Sequence, residues 1–213
     1  MSLKGGSMSV RKKAELTEPF DYDTAYAQLA QSMASLHISR IDEMPRIDLY
    51  LDQVLSIVSM ELAPLYGDDE KIITGSMVNN YVKQRVMPAP TRKRYTRYHL
   101  VALLFVCALK RVLSISQVAL LLQLCRDANV DITNAYNQLS SALEQTLAMR
   151  FGTTTDGDGA WVAPITLVDL YGEPVIGELP SLLQSAVGLI ANKVYVEKLL
   201  ALEAQREKDA QTE

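Results

Sequence analysis

The stretch TGSMVNNYVKQRVMPAPTRKRYTRYHLVALLFVCALKRV, residues 74–112, decides the fold of this 213-residue chain. Thr74 can cap a short helix that ends near Arg85. Apolar residues at helical spacing mark one face of that helix, and polar residues mark the opposite face: Ser76, Asn79, Asn80 and Lys83. Pro88 and Pro90 then end the helix, because proline cannot continue it and lacks the N–H that a central strand requires.

A basic turn follows these prolines. Residues 86–95 predict a short, proline-edged hairpin or loop with three cationic side chains at its tip: Arg92, Lys93 and Arg94. Residues 96–112 are apolar over nearly their whole length, which predicts a buried helix. Ser114 or Ser116 can cap one more helix that ends near Arg126.

Amphipathic spacing extends this helical pattern in both directions. It predicts further helices over about residues 21–36, 46–62, 131–149 and 180–205. The run FGTTTDGDGA at 151–160 is the best candidate for a domain boundary, and residues 161–177 fit either a short helix or two short strands. Residues 1–20 and 206–213 are polar, so we expect disorder or fraying there. Residues 1–7, which precede Met8, resemble an expression tag.

Positive charge is concentrated in one window of the chain. Residues 71–126 hold ten of the 21 Lys and Arg and none of the 25 Asp and Glu, so they carry +10 while the remainder carries −14. A surface of that sign attracts polyanions. A solvated basic face balanced by acidic neighbours is the other interpretation.

Residue patterns typical of enzymes and metal sites are missing. His37 and His99 are the only histidines, and neither has a Cys or a carboxylate at ligand spacing. The run DGDG at 156–159 resembles the start of a calcium loop, but Leu167 stands where the closing Glu belongs. We therefore expect no catalytic residue, no cofactor and no metal, and we expect His99 at the surface or near a phosphate.

The chain also lacks the signals of a membrane or secreted protein. No run approaches the 18 or more apolar residues of a spanning helix, and the N-terminus shows no secretory signal. Cys107 and Cys125 lie in apolar helical segments, where reduced thiols are expected. These features predict a bacterial, cytoplasmic protein.

The order of elements around the quoted stretch resembles a known DNA-binding module. A capped helix, a proline-edged basic turn, an Arg-Tyr pair and two further helices resemble the mercury-resistance-regulator (MerR-type) winged helix-turn-helix. The resemblance rests on Thr74-Gly75-Ser76, Tyr81, Val86-Met87-Pro88, Arg94-Tyr95-Thr96 and the helical segments 100–111 and 116–124. More closely, residues 45–125 resemble the bacterial family called domain of unknown function 1836, which is described as having a MerR-like helix-turn-helix.

The resemblance implies a mainly α fold, built from a MerR-like winged helix-turn-helix with a short β wing plus additional N- and C-terminal helices. The chain then divides into a disordered or tag segment at 1–20, an N-terminal helix and connector at 21–44, and the winged module at 45–126. A helical dimerisation or sensing region at 127–205 and a frayed tail at 206–213 complete it.

The resemblance also implies a transcriptional regulator whose partner is double-stranded DNA. A recognition helix presents its N-terminal side chains to the major groove, where Asn79 and Asn80 can pair with adenine. Basic side chains bind phosphates, and Tyr81 fits a phosphate contact or a core position equally well. The predicted DNA-binding residues are Ser76, Asn79, Asn80, Tyr81, Lys83, Arg85, Arg92, Lys93, Arg94 and Arg97.

Two further expectations concern partners. The helix at 180–205 is apolar on more than one side, which favours a homodimer in which Gly188 and Ala191 let two helices approach; burial within one chain is the other interpretation. Residues 127–205 leave room for a small-molecule effector. The alternative function is a protein-interaction module with a degenerate helix-turn-helix that docks an acidic partner, because Asn79 stands where the MerR pattern has Arg.

Overall fold

A computed structural model of the chain describes residues 20–67, 69–152 and 161–211. The predicted disorder before residue 20 and the DGDG run at 156–159 lie outside these residues. Seven α-helices and one short 3₁₀ turn, Ala63–Leu65, make up the regular structure of the described part. The helices are α1 Tyr22–Ala34, α2 Leu51–Leu62, α3 Gly75–Lys83, α4 Arg97–Lys110, α5 Ile115–Asp127, α6 Ile132–Gly152 and α7 Glu178–Ala210.

The prediction of a mainly α fold is confirmed. A β wing is not confirmed, because strand pairing in the described residues is limited to isolated bridges. The predicted start of α2 near residue 46 is wrong by about one turn. Leu49 instead pairs with Tyr95. The Leu49 N–H donates a hydrogen bond to the Tyr95 carbonyl oxygen at 2.8 Å, and the Tyr95 N–H donates one to the Leu49 carbonyl oxygen at 2.9 Å. That pairing holds the chain extended as far as Tyr50, the N-cap residue of α2.

α4 is the centre of the molecule. It packs against α2, α5 and α7, and its buried side chains include Leu100, Leu103 and Val106, each with 0% exposure. Such a helix needs cover on every side, which explains why the sequence shows no polar face over this segment. α2 in turn packs against α3, so α2, α3, α4 and α5 form one contiguous helical group.

A three-helix group completes the core. α6 packs against α7 and α1, although α1 lies more than a hundred residues earlier in the sequence. The connector after α1 is clamped onto α6 by Arg40, which forms two hydrogen bonds with the carboxylate of Glu144 at 2.8 and 2.5 Å. The same carboxylate accepts the backbone N–H of Ile38 at 2.7 Å.

A buried arginine connects the two helical groups. The Arg111 side chain is 1% exposed and forms ion pairs with Glu70, at 3.2 Å, and with Glu197 of α7. Its guanidinium also stacks on the Tyr66 ring at 4.1 Å. A buried charge requires such partners, so Arg111 ties the loop before α3 to α4 and α7.

Residues 161–177 form neither the short helix nor the two strands considered from the sequence. They run as an irregular segment in which Ala163, Ile165 and Leu167 alternate into the core, with isolated bridges from Val168 to Pro174 and from Asp169 to Val130. The segment is held by these buried side chains and by backbone hydrogen bonds to the loop before α6, from Asp131 N to Val168 O and from Leu170 N to Asn129 O, each at 2.9 Å.

Candidate nucleic-acid interface

α3 exposes the polar face that the sequence predicts. Thr74 caps the helix by accepting the N–H of Met77 at 3.2 Å. Val78 and Tyr81 are buried at 0% and 2% exposure and anchor the inner face. The outer face presents Ser76, Asn79, Asn80 and Lys83, all of which are exposed.

The basic turn is a two-residue hairpin turn. Arg94 donates its N–H to the Thr91 oxygen at 2.9 Å, and the two residues form an isolated bridge. Arg92 and Lys93 between them have φ values of 50° and 62°. Positive φ at both central residues is the signature of the type I′ turn, which is otherwise occupied mostly by Asn and Gly. Both cationic side chains point away from the core and are exposed.

Arg94 has a different environment from Arg92 and Lys93. Its guanidinium lies 3.5 Å from the centre of the Tyr50 ring, and it donates a hydrogen bond to the Tyr50 hydroxyl. Arg94 is therefore half-buried against the start of α2 and fixes the base of the turn there. Sequence reasoning did not find Tyr50; an exposed aromatic residue just before a helix was the only signal.

The turn and the start of α3 lie at the same end of α2. Tyr50 holds Arg94, and Leu51, the next residue, contacts α3. A Cβ placed on Gly75 would lie 3.4 Å from the Leu51 Cδ2 atom. The basic turn and the first turn of α3 are thus attached to the N-cap residue and the first residue of α2, respectively.

Two sequence expectations at this site need correction. Tyr81 is buried beside Cys107, and this burial raises its pKa, so in this structure it is a core residue rather than a phosphate contact. His99 is 7% exposed and not at the surface. Its Nδ1 accepts the Thr96 N–H at 3.1 Å and completes a capping box at the start of α4. The signal was present in the sequence as Thr followed three residues later by a side chain that can accept.

The remaining predicted residues flank α3 and α4. Lys83 and Arg85 are exposed at the C-terminal end of α3, where Arg85 adopts a φ of 58°. Arg97 is the first residue of α4 and is half-buried. Eight of the ten predicted residues therefore have unburied side chains that make no ion pair or ring contact with the described part of the chain: Ser76, Asn79, Asn80, Lys83, Arg85, Arg92, Lys93 and Arg97.

The fold and this surface define a mainly helical protein that presents a short polar helix and a basic turn at one end of α2. Residues 39–139 match the family model described as Domain of unknown function (DUF1836). The match confirms the family resemblance over that part of the chain and extends it beyond both ends of the predicted 45–125. No curated protein and no solved structure matches the chain significantly.

Two structural features are absent from the described residues. None of the helices there is long and apolar enough to cross a membrane. No group of three or more His, Cys, Asp or Glu in the described ranges could hold a metal ion.

Proposed function

We propose that the chain is a bacterial, cytoplasmic DNA-binding transcriptional regulator of the MerR-like type, without enzymatic activity. The observation that carries the proposal is the attachment of the first turn of α3 and the Arg92-Lys93 turn to consecutive residues at the start of α2. A helix that presents polar side chains beside a basic turn can place the helix in a major groove and the turn on the phosphates.

The residues divide by role within this proposal. Asn79 and Asn80 reach base edges, where an amide side chain can pair with adenine. Gln84 Nε2 donates a hydrogen bond to Asn80 Oδ1 at 3.1 Å, and this bond must break before Asn80 can contact a base. Arg92, Lys93 and Lys83 contact phosphates, which position the protein without reading sequence.

A homodimer completes the proposal. α7 exposes four large apolar side chains along one stripe: Leu182 at 48%, Leu189 at 53%, Val196 at 52% and Leu200 at 63%. Spacings of seven and four residues align these side chains on one helix face. Two copies joined through that stripe would present paired reading helices to paired half-sites.

The test measures binding to a short mixed-sequence DNA duplex by fluorescence anisotropy at increasing salt concentrations. We expect measurable affinity near 50 mM salt that falls steeply with salt. Replacing Arg92 and Lys93 by Gln should weaken binding and reduce the magnitude of the log–log slope by about 1.8, since each lost phosphate contact contributes about 0.9. The control K71Q/K110Q removes the same charge from exposed positions outside α3 and the turn and should leave the slope nearly unchanged.

Absence of duplex binding near 50 mM salt would overturn the proposal, and equal losses in the two double variants would overturn the role of the turn. Base reading is tested separately by Asn80→Ala. That variant should lose roughly 1–3 kcal/mol of discrimination at one or two base pairs in a selection from random DNA. An unchanged preference profile would leave backbone binding alone.

One observation favours the alternative function, a protein-interaction module. Ile47 is 70% exposed and Tyr50 is 51% exposed beside the basic turn, with the exposed carboxylates of Asp48 and Asp52 nearby. Apolar and aromatic side chains at a surface are typical of protein interfaces, whereas DNA-binding interfaces are more polar and more positively charged. Ile47→Ser separates the two functions, since it should weaken capture of an acidic protein partner and leave duplex affinity unchanged.

A further inference from the structure

An apolar cavity lies between α4, α5 and α6, directly behind the segment that follows α3. Its volume is 310 Å³, within the range of small-molecule sites. Its walls include Phe105 of α4, Leu122 of α5, and Tyr136 and Leu139 of α6. Arg126 is the one charged residue among the described residues of the wall.

The mouth of this cavity is cationic. A second, more open cleft shares Val86, Pro88 and Arg126 with the first and adds Arg85. None of the described residues that line the cavity or the cleft is acidic. Two guanidinium groups therefore stand where an apolar interior meets solvent.

Neither guanidinium is neutralised by a carboxylate in the described part of the chain. Arg126 donates instead to the Gln123 side-chain oxygen, at 3.2 Å from Nε and 2.7 Å from Nη2. A carboxylate presents two oxygens to the same pair of N–H groups and carries the charge that the amide lacks. An anionic ligand can thus take the place of the Gln123 oxygen.

The interior suits a hydrocarbon chain rather than a polar molecule. The Tyr136 hydroxyl, which would be the obvious polar contact, already donates to the Ser39 oxygen at 2.8 Å. Burial keeps the Cys125 thiol neutral by raising its pKa to about 11. Phe105, Tyr136 and Leu139 also line a smaller neighbouring apolar cavity of 40 Å³.

We propose that this cavity binds an unbranched medium-chain fatty acid anion, with its tail between α4, α5 and α6 and its carboxylate on Arg126 and Arg85. The ligand would touch Val86 and Pro88, and Val86 is itself bonded to the end of α3 through a 3.0 Å hydrogen bond to the Tyr81 oxygen. Binding does not depend on the proposed function; only an effect on DNA affinity would rest on it.

Calorimetric titration of the full chain with hexanoate, octanoate and decanoate, below their micelle concentrations and without DNA, tests the proposal. We expect the affinity to rise about fourfold per added methylene until the cavity is full. Arg126→Gln should weaken decanoate binding by about ten- to a hundredfold, as expected for a lost charge-assisted hydrogen-bond pair. Arg126→Gln should not change the affinity for decanol, which has the tail without the charge.

Arg92→Gln is the matched control, because it removes one exposed positive charge from the turn and should leave decanoate affinity unchanged. Three results would each overturn the proposal: no heat of binding with any of the acids, affinity that is independent of chain length, or equal weakening by Arg92→Gln and Arg126→Gln. Because no DNA is present, these results are independent of the duplex titration.

Discussion

Arg92 and Lys93 combine two properties that rarely occur together. Each is a long cationic side chain on a backbone with positive φ, a conformation that costs a residue with a Cβ roughly 1–2 kcal/mol. Asn-Gly would form the same turn with less strain. Strained backbone of this kind is found preferentially at functional sites, so the charges at this tip are consistent with a role that outweighs their cost.

The double variant R92N/K93G tests that trade-off. We expect its unfolding free energy to rise by about 1–2 kcal/mol, because the strain at both positions is relieved. Its duplex affinity should fall to that of R92A/K93A, the control that removes the charges and keeps residues with a Cβ. Chemical denaturation of the three proteins measures the stability difference; equal stability of the two variants would show that the turn is not strained.

We predict that the two buried cysteines make the unfolding free energy depend on pH. Burial raises the pKa of Cys107 to about 12 and that of Cys125 to about 11, from an ordinary value of 9.0. Both thiols are neutral in the folded and the unfolded chain well below pH 9. Above pH 9 the unfolded chain ionises first, so the unfolding free energy should fall as pH rises, by up to ~1.4 kcal/mol per pH unit and thiol.

Urea denaturation at pH 8 and pH 10 measures this fall. The variant C107A/C125A is the control and should lose the part of the fall that the thiols cause. Both thiols should also react slowly with a disulfide reagent at pH 8 in the folded protein and rapidly in denaturant. Rapid reaction of the folded protein would contradict the burial of these side chains.

At the scale of elements, the irregular segment at 161–177 covers one side of α7 and so determines which of its side chains remain exposed. Gly188 was expected to let a second copy of α7 approach. The structure instead covers Gly188 with Val162 from the irregular segment, and Ala191 is 1% exposed. Gly188 and Ala191 are therefore buried within one chain, and the exposed stripe of α7 carries larger apolar side chains.

Gly188→Ala should destabilise the fold. An added Cβ would lie 2.7 Å from the Val162 Cγ2 atom, and overpacking costs about 1–3 kcal/mol. Replacing a glycine within a helix by alanine stabilises the helix by only about 1 kcal/mol. In a Val162→Ala background the clash disappears, so the same substitution should become stabilising. Thermal unfolding of the four proteins of this cycle measures the change of sign; a loss of stability in both backgrounds would contradict this contact.

At the scale of the whole molecule, the exposed stripe on α7 determines the expected assembly. The variant L189E/V196E should convert the dimer to a monomer without loss of helical content, because a carboxylate at each position opposes burial. Leu120→Glu changes a residue of similar character on α5, at 61% exposure, and should leave the mass unchanged. Light scattering across micromolar concentrations measures the molecular mass. A wild-type mass near the single-chain value of 23.6 kDa would rule out the dimer.

Much of the local structure could be predicted from the sequence. The order of the helices follows from apolar spacing and from capping residues such as Thr74 and Ser114, which are signals contained within a few residues of each helix end. The polar face of α3 and the basic tip of the turn follow for the same reason, since both are properties of short segments. The resemblance to domain of unknown function 1836 also rests on contiguous residues, and the match over 39–139 supports it.

The tertiary structure alone decided which distant segments meet. Periodicity shows that α1 has an apolar face but not that this face packs on α6 and α7. It likewise cannot show that Leu49 pairs with Tyr95, which shortens α2 and ties the turn to it, or that Tyr81 lies in the core. The physical reason is common to these cases: burial and pairing depend on partners far away in the chain, whereas capping and periodicity are local.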